Sequence, residues 1–136
     1  MNPAPGQPGL LEDLIIRSAD NAALRPQLLA ALRQSRIAVP LDKGLENGAL
    51  PPDFKPLTLN ADQGFPVLAI FTRPEKATPW IKQQPAFQHV LVTGFEWALR
   101  ITRPPFGIAV NPGYKYSIAL TPDEVAALRV EAMSDH

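Results

Sequence analysis

Residues Gly107-Ile108-Ala109-Val110-Asn111-Pro112-Gly113-Tyr114 are a short apolar run closed by turn-forming residues, and a second run, Lys115-Tyr116-Ser117-Ile118-Ala119-Leu120, follows at once. Three residues, Asn111-Pro112-Gly113, are too few for the crossover that parallel strands need, so the two runs predict antiparallel neighbours. Pro112 presets its own φ, Gly113 tolerates the positive φ of a tight turn, and Asn111 can bond within its own turn. Downstream, Thr121-Pro122-Asp123-Glu124 has the spacing of a capping box with proline in the first helical turn, which predicts a C-terminal helix carrying Val125, Leu128 and Arg129.

Upstream, Phe65 to Phe71 is apolar at nearly every position after Pro66, the pattern of a central strand covered on both faces. Thr72-Arg73-Pro74-Glu75 and Thr93-Gly94-Phe95-Glu96 repeat the capping-box spacing. They predict one helix through about Gln83, delayed or distorted by Pro79, and another over 93–101 with Thr93 as its cap. His89 to Val92, Leu57 to Leu59 and Arg36 to Leu41 read as further strands. Leu11, Leu14, Ile15 and Ser18 share one side of a helix, and a second helix from near Pro26 to Gln34 turns Leu28, Leu29 and Leu32 inward. Residues 42–56 are loop chemistry, an irregular excursion in which Asn47-Gly48 can form a turn. The sum is an α/β (α+β) fold in one domain: a mixed β-sheet of about five strands, a leading helical pair and a C-terminal helix.

A chain of 136 residues is long enough to bury its own core, and its hydrophobic (46%) and charged (19%) fractions are those of a globular domain. The first nine residues are dense in proline and glycine and lack a secretory signal, so residues 1–9 read as a flexible tail, 10–136 as the domain, and the location as cytoplasmic. Apolar runs are far shorter than the roughly 20 residues a bilayer requires, so no membrane span is expected. Basic and acidic residues number 13 each. Six of each fall in residues 1–60 and seven of each in 61–136, so there is no basic footprint and no nucleic-acid partner is expected.

With no cysteine, two histidines and no metal-ligand or nucleotide-loop spacing, the chain offers no catalytic constellation, no metal site and no cofactor site. His136 is the last residue; His89 is the one histidine around which a small enzyme could be built, and its nearest carboxylate in sequence is Glu96. The remaining candidates are contact residues. Tyr114 and Tyr116 straddle Lys115 just after the turn, and Trp80 follows Thr78-Pro79. Turn-borne tyrosine and tryptophan combine apolar area with a polar handle. Asn111, Tyr114, Lys115, Tyr116 and Trp80 are therefore the candidate interaction surface, whereas Trp97 reads as core.

Taken in order, the helical pair, the Ile37-Ala38-Val39-Pro40-Leu41 strand, the Gly64-x-Pro66-Val67-Leu68 strand into Phe71-Thr72, the Asn111-Pro112-Gly113 turn and the Thr121-Pro122-Asp123-Glu124 helix resemble the N-terminal domain of the SseB family, the enhanced-serine-sensitivity proteins. The resemblance spans about residues 10–132 and departs at Arg73, where a small polar residue is expected, and in length, since longer relatives carry a second domain. It implies a bacterial, mainly cytoplasmic α/β domain with no catalytic residues to carry over. The expected function is a non-enzymatic protein-interaction or adaptor module, with homodimerisation through an edge strand as a variant. Alternatives are a domain sensing an amino acid or metabolite and, third, a small enzyme using His89.

Overall fold

The alternation of side chains along three central strands decides which helices go where. In the computed structural model, which describes residues 10–60, 64–114 and 117–134, the chain runs α1 (Leu10–Ala19), α2 (Arg25–Arg33), β1 (Arg36–Leu41), β2 (Thr58–Leu59), β3 (Val67–Ile70), α3 (Thr78–Gln83), β4 (His89–Gly94), α4 (Phe95–Ile101), β5 (Gly107–Val110), β6 (Ile118–Leu120) and α5 (Pro122–Ser134). Short 3₁₀ turns occupy Ala22–Leu24, Pro74–Ala77 and Pro85–Phe87. The fold is mixed α/β, with six strands among the described residues where about five were expected.

The strands form two ladders, β1-β4 and β2-β3-β5-β6. Ala38 and Phe71 exchange backbone hydrogen bonds of 2.8 and 2.9 Å, and Leu57 donates to the Pro40 carbonyl, so β1 joins the two ladders into one layer. Pro40 is tolerated inside this strand because its side of the ladder needs only a carbonyl from it. β3 and β5 are parallel, while β5 and β6 are antiparallel, as the short Asn111–Gly113 link requires.

On one face Ile37, Val39, Leu68, Ile70, Ile108 and Val110 meet α1, α2, α4 and α5 in the main core. On the other face Ala38, Ala69 and Phe71 lie under the Pro74–Phe87 segment, with Trp80, Ile81 and Tyr114 packed against them. β3 is thus buried on both sides, as its unbroken apolar run predicts. Trp97 packs partly buried against the main core and stacks on Phe54 with ring centroids 5.9 Å apart.

Two local expectations need correction. Thr72 does not cap a helix: Arg73 precedes a 3₁₀ turn, and α3 starts only at Thr78, with Pro79 in its first turn. Thr93 does not cap α4, because β4 continues through it to Gly94, the residue that takes the cap position. Within the 42–56 excursion, Asn47 and Gly48 both have positive φ (52° and 82°), and Glu46 and Ala49 exchange backbone bonds, a tight two-residue turn. Residues 1–9, read from sequence as a tail, lie outside the described residues.

Candidate functional site

The turn after β5 is held from three directions. Asn111 has φ 56° and is 2% exposed. Its Oδ1 accepts from the Thr72 backbone N–H at 3.0 Å and its Nδ2 donates to Thr72 Oγ1 at 3.1 Å. The side chain therefore ties the end of β5 to the end of β3, and does not bond within its own turn. Trp80 donates from Nε1 to the Pro112 carbonyl at 2.8 Å. Gly113, at φ 85°, lies flat on that indole, where an added Cβ would come within 3.2 Å of the ring. Tyr114 donates its hydroxyl to the Lys76 carbonyl at 2.7 Å, and the Lys76 ammonium sits 4.6 Å from the centre of the Tyr114 ring.

Behind Lys76 stands Glu12 of α1, with 12% of its side chain exposed. It accepts from Arg73 Nε at 2.8 Å and lies 3.3 Å from Lys76 Nζ. Burial pushes the Glu12 carboxyl up, but the bonds from Arg73 and Lys76 outweigh it and hold the group below the ordinary carboxylate range. Arg73 thus anchors the covering segment to α1.

In front of the turn, Trp80 forms the margin of the Pro74–Phe87 segment, and the sheet beyond it is recessed. The result is a groove of about 550 Å³. Val67, Ala109 and Ala119 line it from the sheet, Trp80 with Pro112 and Gly113 form one border, and Asn60 and Ser117 supply polar groups. Because the Trp80 N–H is already used on Pro112, the indole offers the groove an apolar wall.

The structure therefore brings Trp80 and Tyr114 together around one turn, with Asn111 buried beneath it as support. Tyr114 is half-buried, and its polar end is engaged within the chain. Lys115 and Tyr116 lie outside the described residues. Ala109 and Ala119 are absent from the sequence-derived set, yet both line the groove. Their signal is the small residue between large ones in Ile108-Ala109-Val110 and Ile118-Ala119-Leu120, which leaves room on one sheet face only.

His89 opens β4 and is exposed, its ring against Gly44. The small cleft beside it is lined by Lys43, Leu45 and Leu50 among others, with no carboxylate side chain among its lining residues. Among the described residues no group of three or more His, Asp or Glu side chains is placed to hold a metal ion.

A family model, the SseB protein N-terminal domain, matches residues 11–127. The chain belongs to this family. No curated protein and no solved structure matches it. The SseB match takes in the described residues of the groove, the turn and the Glu12 anchor, and it ends within α5. Among the described residues of this SseB domain, no helix is long and apolar enough to cross a membrane.

Proposed function

We propose that this SseB domain is a non-enzymatic, cytoplasmic adaptor that receives a segment of a protein partner in the groove bordered by Trp80 and Pro112-Gly113. The observation that carries the reading is the groove over the sheet beside a fixed aromatic wall, with Asn60 and Ser117 exposed at its mouth. Trp80 and Tyr114 spend their polar atoms on holding the turn, so the wall is set before any partner arrives and little ordering cost remains. The exposed Ser117 allows a test that leaves the turn untouched. Ser117→Trp fills the groove mouth, and in an affinity capture from the native host it should lose a partner that the unaltered domain retains. A partner set identical for the unaltered domain, Ser117→Trp and Trp80→Ala removes the groove from consideration.

A small-molecule sensor is the second reading, favoured by the groove volume, which falls among those of ligand pockets. A ligand at 100 times its dissociation constant adds about 2.7 kcal/mol of stability. A melting-temperature rise with one member of an amino-acid and metabolite panel, serine included, supports this reading; a flat response across the panel counts against it.

A further inference from the structure

Among the described residues the layer ends at β4 on one side and at β6 on the other, and each of these strands has an outward carbonyl occupied by an arginine side chain. On β5, Gly107 and Asn111 donate their N–H groups toward the β3 side, to Pro66 and Ile70. Alternation then turns Ile108 and Val110 toward β6, so they form the bonded pairs with Leu120 and Ile118. Ala119, opposite Ala109, must direct its own N–H and C=O away from the sheet. That carbonyl accepts from Arg25 Nη2 at 3.0 Å. Two residues on, the Thr121 N–H is taken by Glu124 Oε1 at 3.0 Å. Arg25 and Glu124 are themselves joined by two hydrogen bonds of 2.9 and 2.8 Å. On β4, Arg36 Nη2 reaches the Val92 carbonyl at 3.3 Å.

A residue of an added parallel strand would give its N–H to one carbonyl and accept from the N–H two residues further along. The Arg25–Glu124 pair supplies that donor and that acceptor at Ala119 and Thr121. We propose that the pair is a plug on the β6 edge, standing in for a neighbouring strand, and that removing it lets a second copy of this chain pair there through its own β6. The second copy is the occupant because two β6 strands related by a twofold axis pair antiparallel, with the two Ala119 residues opposite each other, so that the carbonyl Arg25 now holds would accept the partner copy's outward Ala119 N–H. Unpaired edge backbone is a template for strand addition, and a charged side chain is the usual block.

The test compares the unaltered protein, Arg25→Ala and Arg25→Ala/Ala119→Pro by sedimentation equilibrium, with circular dichroism as the check on folding. Proline at 119 removes an outward N–H and leaves the bonds to β5 in place. The unaltered protein should stay near the 14.8 kDa of one chain, Arg25→Ala should move toward twice that mass, and the double variant should return to one chain. A folded Arg25→Ala that keeps the single-chain mass overturns the proposal. So does association that survives Ala119→Pro, or an unaltered protein that pairs in a manner Ala119→Pro abolishes. Amide hydrogen exchange on the unaltered protein gives an answer that needs no variant to fold: the Thr121 amide should exchange at least tenfold more slowly than in an unstructured peptide, and a peptide-like rate refutes the plug.

Discussion

Asn111 combines a left-handed backbone with a side chain that holds the neighbouring strand end, and no other residue type does both equally well. Alanine there keeps neither advantage. Asn111→Ala should cost about 2–4 kcal/mol, from lost bonds at a buried site and about 1 kcal/mol of left-handed strain. Asn111→Gly avoids the strain and should cost less, so urea midpoints should rank asparagine, glycine, alanine. Gly107 fails differently: a Cβ there would lie 2.2 Å from the Leu120 carbonyl oxygen and 2.7 Å from the Phe65 ring. Gly107→Ala should lose about 3 kcal/mol, since the Leu120 carbonyl belongs to the β5–β6 ladder and cannot move aside. The turn was legible in sequence because Asn111, Pro112 and Gly113 announce it locally. The partner of Asn111 was not, because Thr72 lies 39 residues away and nothing near it marks the contact.

Among the elements, α5 shows what a complete cap needs. Thr121 Oγ1 accepts from the Glu124 N–H at 3.1 Å, and Glu124 accepts in return from the Thr121 N–H. Thr121→Ala should lower stability by about 1 kcal/mol in chemical denaturation. The same four-residue spacing at Thr72 and Thr93 produced no box. At Thr72 the backbone N–H is already given to Asn111, and at Thr93 the residue is paired with Ile37 across β1 and β4. Sheet pairing outcompetes a local signal that reads identically along the chain. Glu124 also sets a pH dependence. The hydrogen bond from Arg25 chiefly, and those from Thr121, hold its carboxyl below the ordinary carboxylate range despite partial burial. A folded-state value below the unfolded one means the contribution is full above the unfolded pKa and is lost as pH falls through the folded one. Between about pH 5 and pH 3 the melting temperature should therefore fall more steeply for the unaltered protein than for Glu124→Gln.

At the scale of the whole molecule, one sheet separates two cores but does not divide them into independent parts. Ile37, Val39, Leu68 and Ile70 serve the main core, while Ala38, Ala69 and Phe71 of the same chain segments serve the other. Neither face can be unpacked without disturbing the strands that carry both. The two tryptophans sit on opposite faces, so Trp80→Phe leaves a probe of the main core and Trp97→Phe leaves a probe of the second. In each variant, the fluorescence and circular dichroism midpoints in urea should coincide, the signature of a single cooperative transition. Split midpoints would show that the layers unfold separately. The layered fold could be read from periodicity, since the central strand and amphipathic helices each mark their faces. The groove could not, because it arises where the Pro74–Phe87 cover ends, a matter of how far one segment reaches over another.

The mixed pairing around β5 carries a kinetic consequence. Val110 meets Ile118 across a separation of eight residues, whereas Val67 meets Gly107 across forty. Closing the smaller loop costs less chain entropy and is faster, so the β5-turn-β6 hairpin can assemble early while the β3–β5 register waits for the segment between them to be placed. Destabilising substitutions within the hairpin should then slow folding, whereas those in β3 should mainly hasten unfolding. Rapid-mixing rates for Gly113→Ala and Leu68→Ala distinguish the two, and a slower folding rate in the second alone would reverse the order.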